Sequence, residues 1–298
     1  MILCVGEILV DMIGAEKDNT FYYERKAGGA PFNVACAAAK FGAETAFVGC
    51  VGDDIIGKFL ERFVGEQGLT YSYVKKDAEV NTTLAFVELD KTGERAFCFY
   101  RKNTADYRLP EVPDEIFNQA NIVHIGSLML SEKQGEEYAL RLAERAKKAG
   151  KLVSFDVNFR DDIFRDTQAA VAVYKQLIER ADVVKFSEEE TDIFTGAYVE
   201  SLTDKLVCVS LGAKGSEWRY GGKRAQVPSI PVKPVDTTGA GDAFYAGVLS
   251  QLDGKSWSEE AFNRAFEFGN VCGALNTLGR GAIDCLPDLA TVKSYLSN

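Results

Sequence analysis

The chain has 298 residues and a mass of 32.7 kDa, with 46% hydrophobic and 26% charged residues. These proportions are typical of a globular protein with a large core. Its 34 Lys and Arg residues against 44 Asp and Glu residues give a net charge of −10. This balance disfavours nucleic-acid binding, which requires a basic surface.

The sequence also argues against a membrane protein and a secreted disulfide-rich protein. No apolar run approaches the roughly 18–20 residues that span a bilayer. The first eleven residues lack the basic segment of a signal peptide. The seven cysteines are scattered and include no Cys-x-x-Cys pair, which disfavours both a zinc site and a disulfide framework. We therefore expect a cytoplasmic protein.

Short apolar segments alternate with helical patterns along most of the chain, which predicts a parallel sheet with crossover helices. The predicted strands are residues 3–10, 45–51, 122–126, 152–156, 183–186 and 206–210. The predicted helices are residues 33–41, 55–67, 132–149, 169–180, 188–194, 243–252 and 259–278.

Three segments depart from this alternation. Residues 82–89 and 96–100 resemble two strands joined by the turn signal at 90–94. Residues 11–26 also contain extended-looking stretches, so these pieces could form a small sheet beside the main domain. A later hairpin at 216–228 is expected to form an antiparallel edge of the main sheet.

The chain has a single histidine, His124, inside an apolar strand pattern. We interpret it as a buried strand residue with a hydrogen-bond partner. Its solitude excludes metal centres with several histidines and argues against a Ser-His-Asp hydrolase.

The run Asp236-Thr237-Thr238-Gly239-Ala240-Gly241-Asp242 precedes a predicted helix. Its glycines leave backbone N–H groups open to an anion at the positive end of the helix dipole. A carboxylate at position 242 would repel that anion, but it suits a base that deprotonates an attacking hydroxyl. A glycine turn followed by a helix-starting Asp explains the run equally well from local chemistry. The chain has neither a Walker A loop nor a dinucleotide fingerprint after its first strand.

A second run, Gly28-Gly29-Ala30-Pro31-Phe32-Asn33, leads into an alanine-rich helix. With both runs in this order, the chain resembles the ribokinase-type (PfkB) carbohydrate kinases, and within that family the fructokinases. The resemblance implies a single α/β domain over residues 1–298. Its fold would be a ribokinase-like three-layer sandwich with a mostly parallel central sheet and a small β-sheet lid at about 12–26 and 80–104. It also implies that Gly239, Ala240 and Gly241 form an anion hole and that Asp242 is the catalytic base.

The resemblance implies a set of sugar-binding residues: Asp11, Gly28, Gly29, Asn33, Phe97, Arg101, Arg160 and Asp242. Arg160 could also offset the charge of the transferring phosphate. Two of these residues have structural alternatives. Phe97 and Phe99 could simply be the aromatic residues of a half-buried strand, and Arg160 could pair with Asp161 or Asp162.

The nucleotide site is likewise implied by resemblance, and its predicted residues are Lys185, Ser187, Ser210, Gly212, Gly215, Gly239, Gly241 and Asn270. Glu190 would place Mg²⁺ through water, with Ser187 standing where the family commonly has Asn. The alternative is that the glutamates at 188–190 form a favourable first helical turn. A monovalent cation such as K⁺ would lie near Asp236, Thr238 and Gly281.

The resulting prediction is transfer of the ATP γ-phosphate to a sugar hydroxyl, with D-fructose phosphorylated at its 6-hydroxyl as the preferred reaction. Within the same family, 2-keto-3-deoxygluconate, ribose or a nucleoside could be the acceptor instead. A non-catalytic sugar-binding protein is an alternative from another class. The family resemblance also implies a homodimer paired through the β lid.

Overall fold

The computed structural model describes residues 1–89, 95–160, 163–164 and 166–296. The strands, in chain order, are β1 (Ile2–Val5), β2 (Leu9–Lys17), β3 (Thr20–Gly28), β4 (Thr45–Gly52), β5 (Tyr71–Asp77), β6 (Leu84–Leu89), β7 (Arg95–Tyr100), β8 (Ile122–Ile125), β9 (Leu152–Asp156), β10 (Val183–Ser187), β11 (Leu206–Ser210), β12 (Ser216–Tyr220) and β13 (Lys223–Val227).

The helices, in the same order, are α1 (Ala30–Lys40), α2 (Ile55–Gly65), α3 (Asp114–Gln119), α4 (Lys133–Lys148), α5 (Thr167–Arg180), α6 (Glu188–Ile193), α7 (Gly196–Ser201), α8 (Ala240–Leu252), α9 (Glu259–Asn276) and α10 (Leu289–Leu296). No helix among the described residues combines the length and the apolar character needed to cross a membrane.

A large sheet carries nine strands in the order β13-β12-β11-β10-β9-β8-β1-β4-β5. The seven strands from β11 to β5 are parallel, and β12 and β13 add an antiparallel edge. Parallel neighbours bring the carboxyl ends of their strands to one edge, where open α/β sheets bind ligands. The predicted α/β class, the mostly parallel sheet and the late hairpin are thereby confirmed.

Helices cover both faces of the large sheet and enclose two hydrophobic cores. Alternate residues of β1 enter opposite cores, with Ile2 in the first and Leu3 in the second. The first core also contains α1, α8 and α9, and the second contains α4 and α5. Alanines on α1 and the close approach of Gly247 to Gly269 let α8 and its neighbours pack tightly. The result is a three-layer sandwich.

A small sheet lies beside the sandwich and has four strands in the order β3-β2-β6-β7. Its strands β2 and β6 are parallel, whereas β3 and β7 pair antiparallel at the two edges. The strand β2 follows β1 after only three residues, 6–8, so the small sheet grows directly from the centre of the large one.

The predicted strand at 3–10 is wrong in one respect, because it is two strands in two different sheets. The chain turns at Gly6, whose φ of 154° is accessible to glycine. Ile8 and Leu9 after the turn are buried like the residues of β1 before it, so the apolar pattern resumes at once and conceals the turn. The sequence also missed β5, whose mostly exposed polar side chains lack the apolar signature of a central strand.

His124 lies in β8 with 1% of its surface exposed. Its Nδ1 lies 3.1 Å from the Ser154 hydroxyl, which in turn donates to the Tyr245 hydroxyl. Burial lowers the pKa of His124 to about 3, so the ring is neutral at physiological pH. The interpretation as a buried, hydrogen-bonded strand residue is confirmed.

Candidate functional site

The glycine run before α8 forms an open helix N-terminus. Gly239 caps the helix with a φ of 72°, a left-handed conformation that glycine adopts without strain. A Cβ at this position would also lie 2.6 Å from the Cα of Ala282. The loop around residue 282 therefore packs directly on the run. Within the run, the N–H of Ala240 donates to the Thr237 carbonyl at 3.2 Å.

Asp242 lies in the first turn of α8, as the sequence predicted. Its Oδ2 accepts a 2.8 Å hydrogen bond from the side-chain amide of Asn33 on α1. The two signature runs, more than 200 residues apart, thus meet through their side chains. Desolvation raises the pKa of Asp242 to about 6, with Asp156 also raising it while Asn33, Lys185 and Arg160 lower it.

Asp242 opens onto a polar cavity of about 340 Å³. Its lining combines residues from the small sheet, from α1 and from the carboxyl ends of the large sheet. They are Leu9, Asp11, Gly29, Ala30, Asn33, Phe99, Leu128, Asn158, Arg160, Lys185, Thr237, Thr238, Gly239, Gly241 and Asp242. Carboxylates, an amide and cationic groups face a space of monosaccharide size, so the cavity suits a small, hydroxyl-rich molecule.

A second, apolar cavity of about 580 Å³ lies on the other side of the glycine run. Its lining is Ser210, Gly212, Ala213, Gly215, Ser229, Ile230, Pro231, Val232, Pro234, Thr237, Ala240, Gly241, Phe244, Asn270, Gly273, Ala274 and Thr277. Aliphatic side chains and glycine backbone suit a flat aromatic ring. The two cavities share Thr237 and Gly241, so they meet at the N-terminus of α8.

A buried ion pair lies beneath this junction. The Lys185 ammonium on β10 donates to both carboxylate oxygens of Asp156, its direct neighbour on β9, at 2.9 Å each. Desolvation alone would lower the pKa of Lys185, but Asp156 and Glu190 outweigh it and the net pKa is raised. The lysine is therefore charged.

The positions predicted for a monovalent cation are brought together. One carboxylate oxygen of Asp236 accepts hydrogen bonds from the N–H and hydroxyl of Thr238, at 2.8 and 2.7 Å. The other oxygen accepts from the N–H of Gly281 at 3.0 Å. These bonds join the start of the glycine run to the loop that packs against it.

Glu190 and Ser187 form a capping box at the start of α6. The Glu190 carboxylate accepts from the backbone N–H of Phe159 at 2.6 Å and of Ser187 at 2.7 Å. These residues line neither cavity. Their observed contacts match the structural alternative of a stabilised first helical turn, and their placement of magnesium stays a prediction. Among the described residues, no group of three or more His, Cys, Asp or Glu side chains could hold a metal ion.

Arg101 differs from the sequence-based expectation. It is 6% exposed and does not line the polar cavity. Its Nε pairs with Asp106, and its Nη1 donates to the Leu128 carbonyl and the Ser131 hydroxyl, both at 2.8 Å. The side chain is held behind the cavity wall because Asp106, five residues later, compensates its charge in a buried position.

Other predicted residues also lie at positions that the sequence did not indicate. The side chain of Phe97 is outside the part of the chain that the structure describes, whereas Phe99 on the same strand lines the polar cavity. Gly28 lies just behind the lining, where a Cβ would meet the Asp11 carboxylate at 2.5 Å. Lys185 and Gly239, predicted on the nucleotide side, line the polar cavity instead.

Several lining residues were not predicted from the sequence, including Leu128, Asn158 and Thr237. Asn158 belongs to the run at the end of β9 that the strand-end rule indicates as a ligand site, but only Arg160 of that run was predicted as a site residue. Leu128 lies in a short turn after β8 and has no comparable sequence signal.

A larger recess of about 930 Å³ is lined by none of the predicted site residues. It is lined largely by charged side chains that pair with one another, such as Arg108 with Glu79 at 2.7 Å and Lys75 with Asp77 at 3.4 Å. Mutual pairing of exposed charges is ordinary surface behaviour, so this recess is not the candidate site.

The chain is similar to known proteins over nearly its whole length. The chain is 36% identical to fructokinase-1 of Oryza sativa subsp. japonica, with 96% of this chain and 94% of that protein covered. It is 35% identical to a fructokinase of Vibrio alginolyticus, with 95% and 94% covered.

Solved structures are similar over nearly the whole length. A fructokinase with bound ATP from Xylella fastidiosa has a TM-score of 0.93 at 31% identity, with 99% and 98% of the two chains covered. A fructokinase from Vibrio cholerae O395 with fructose, ADP and calcium has a TM-score of 0.89 at 32% identity, with the same coverage. The sequence profile described as pfkB family carbohydrate kinase matches residues 1–289. The chain therefore belongs to the pfkB family of carbohydrate kinases.

Proposed function

We propose that the protein transfers the γ-phosphate of ATP to D-fructose at its 6-hydroxyl. One observation carries the proposal: Asp242 faces the polar cavity at the point where that cavity meets the apolar one. A sugar in the first and a nucleotide in the second would bring an acceptor hydroxyl and a terminal phosphate to the same helix N-terminus. The fructokinase relatives support fructose as the acceptor.

In this reaction the Asp242 carboxylate accepts the proton of the attacking hydroxyl. The hydroxyl oxygen bonds to the γ-phosphorus as the bond to the bridging oxygen breaks, and ADP leaves with that electron pair. Backbone N–H groups of Gly239, Ala240 and Gly241 face the developing negative charge at the positive end of α8. Arg160 adds positive charge on the acceptor side.

Ions complete the proposed site. Mg²⁺, when bound to the nucleotide phosphates, would neutralise part of their charge, and Glu190 would hold it through water. Such ions are held largely by phosphates and water with one or two carboxylates. K⁺ is a candidate for the loop where Asp236, Thr238 and Gly281 are joined by hydrogen bonds.

The small sheet is proposed to be a lid over the sugar within a single 298-residue domain. Asp11 on β2 and Phe99 on β7 reach the polar cavity from it. Arg101 follows β7 and, through Asp106 and Leu128, would anchor the lid to the sandwich rather than contact the sugar. A closed lid excludes water and so limits wasteful ATP hydrolysis.

The protein's proposed partners are the sugar, ATP and a second copy of itself. The edge strands of the small sheet expose aromatic side chains, among them Phe21 at 79% and Tyr100 at 63%. Pairing of two small sheets would cover these rings. The cytoplasm is the proposed location because all seven cysteines are free, as expected in a reducing compartment.

The reaction is tested with a panel of acceptors and ATP consumption as the readout. The panel contains fructose, ribose, 2-keto-3-deoxygluconate and a nucleoside, and the product is identified by its phosphorylation position. We expect the highest kcat/KM with fructose and phosphate on its 6-hydroxyl. Preference for another acceptor would refute the fructose assignment, and no turnover with any of them would favour a non-catalytic sugar-binding protein.

The matched control is Asp242→Asn, which keeps the size of the side chain but removes the base. We expect phosphorylation to fall roughly 10²–10⁴-fold, the usual range for loss of a general base. Fructose and ATP should still bind, as measured by calorimetry. Near-normal turnover by this variant, in a preparation shown to be free of contaminating kinase, would remove Asp242 from the role.

A further inference from the structure

The loop of residues 279–285 is in close contact with the glycine run. The Gly281 N–H donates to the carboxylate of Asp236, the first residue of the run, at 3.0 Å. A Cβ on Gly239, which caps α8, would lie 2.6 Å from the Cα of Ala282. Because these contacts involve backbone atoms on both sides, a displacement of the loop is transmitted to the start of α8.

The same loop is joined to the small sheet by an ion pair between residues 258 positions apart. The Lys26 ammonium on β3 donates to the Asp284 carboxylate at 2.7 Å and contacts Glu24 at 2.8 Å. The stem of Lys26 lies along the loop, with its Cδ 4.0 Å from where a Cβ on Gly281 would be. Asp284 is the main cause of the raised pKa of Lys26, so the lysine is charged at neutral pH.

Lys26 is also close to the wall of the polar cavity. It lies directly opposite Asp11 in the register of β3 and β2, and Asp11 lines that cavity. Two residues further along β3, a Cβ on Gly28 would meet the Asp11 carboxylate at 2.5 Å. A movement of this end of the small sheet therefore changes the cavity wall and the position of Lys26 together.

The strength of the ion pair suits a coupling contact. Its side chains are 26% and 42% exposed, and partly exposed pairs contribute little to the stability of a fold. The two hydrophobic cores hold the sandwich without it. A contact of this size still shifts the equilibrium between two positions of the small sheet severalfold, provided that it forms in one of them.

We propose that Lys26 and Asp284 are positioning residues that couple the acceptor site to the phosphate site. The proposal rests on the kinase function proposed above. A sugar in the polar cavity holds the small sheet closed, and the ion pair then holds the loop of residues 279–285 against the glycine run. Neither residue lines either cavity, so both act through the loop. Because such coupling is reciprocal, the nucleotide raises the affinity for the sugar by the same factor.

The coupling is measured by binding, as a ratio of two dissociation constants of a non-hydrolysable ATP analogue, without and with saturating fructose. If the panel above prefers another acceptor, that acceptor replaces fructose. We expect a ratio above one in the wild type and a two- to fivefold lower ratio in Asp284→Asn, about the contribution of a partly exposed ion pair. Lys26→Arg keeps the charge and should retain most of the ratio. An unchanged ratio in Asp284→Asn would overturn the proposal.

Replacement of Lys26 alone can also alter sugar binding directly, because it lies opposite Asp11. A double-mutant cycle of Lys26→Met and Asp284→Asn isolates the contribution of the pair. The double variant should lose no more of the ratio than Asp284→Asn does. Losses that multiply in the double variant would show two independent effects and refute coupling through the pair.

The matched control is Lys223→Met. Lys223 on β13 pairs with Glu259 on α9, so it also joins two elements, and it lies in neither cavity. Its ratio should equal that of the wild type. A fall as large as that of Asp284→Asn would mean that the loss of any surface ion pair has this effect, and would refute a specific role.

Hydrogen exchange without ligands tests the contact independently of the reaction. We expect the amides of residues 236–242 and 279–285 to exchange faster in Asp284→Asn than in the wild type, and those of α4 to be unchanged. If no acceptor is phosphorylated but sugar still changes the affinity for the analogue through this pair, the proposed reaction fails and the coupling stands. If fructose is phosphorylated while neither the ratio nor the exchange changes in the variant, the coupling is refuted and the kinase remains.

Discussion

The pKa of Asp242 is set by groups that raise it and groups that lower it. Desolvation raises its pKa to about 6, and Asp156 acts in the same direction. The Asn33 amide, Lys185 and Arg160 favour the charged form. A carboxylate in this balance is ionised at neutral pH yet more basic than an ordinary Asp, which is the property that a general base needs.

This balance predicts the pH dependence of the reaction. A raised carboxyl pKa means that the active, ionised form is present above about pH 6 and is lost as the pH falls through that value. We expect kcat/KM for the sugar to fall about tenfold per pH unit below this point. The residual activity of Asp242→Asn should lack this decline. A wild-type profile that stays flat to about pH 4, the ordinary range of Asp, would contradict the pKa assignment.

ATP titrates in the same range, so its binding is measured separately. The dissociation constant of Mg·ATP, determined for the wild type and for Asp242→Asn over the same pH values, gives the contribution of the nucleotide. Only the part of the decline that the variant lacks is attributed to Asp242.

At the scale of elements, β7 supplies both the cavity wall and the anchor of the small sheet. Phe99 faces the polar cavity and packs near Leu9 and Leu128, while Arg101 directly after the strand is fixed behind the wall. The end of β7 nearest the sandwich is therefore held by hydrogen bonds, and the Phe99 side chain forms part of the wall of the polar cavity.

Replacement of Phe99 tests this arrangement. Phe99→Ala should raise KM for the sugar about tenfold, the effect of losing roughly 1.4 kcal/mol of apolar contact. The KM for ATP should stay unchanged because the apolar cavity is built from other elements. Tyr73→Ala on β5 is the control, since this ring is 39% exposed and lies outside the small sheet and both cavities. Equal effects from both variants would mean that Phe99 acts only through the stability of the fold.

The elements also show what could be predicted from the sequence. The alternation of strands and helices predicted the parallel sheet, and the glycine run before a helical pattern predicted the helix start at which Asp242 lies. Its role as a base came only from the family resemblance and stays a prediction. Arg101 contacts Asp106, Leu128 and Ser131, which are brought together only when the chain is folded, so its contact with the sugar stays a prediction. The Lys185–Asp156 pair depends on the register of β9 and β10, which no local pattern records.

At the scale of the whole molecule, the exposed aromatic edge of the small sheet predicts self-association. We expect sedimentation of the wild type to give a dimer, about twice the 32.7 kDa chain mass. A Phe21→Glu variant should be monomeric, because a charge would be buried at the contact. Tyr295→Glu, on the exposed part of α10, should remain dimeric. A monomeric wild type at micromolar concentrations would refute pairing through the small sheet.

The small sheet contributes residues to the polar cavity and none to the apolar cavity. Leu9, Asp11 and Phe99 line the polar cavity from the small sheet, while the apolar cavity is built entirely from the last third of the sequence. Substitutions on the small sheet could therefore reshape the polar cavity while leaving the apolar cavity unchanged. A protein engineer seeking a kinase for a different sugar would vary β2, β3, β6 and β7 and keep the C-terminal part intact.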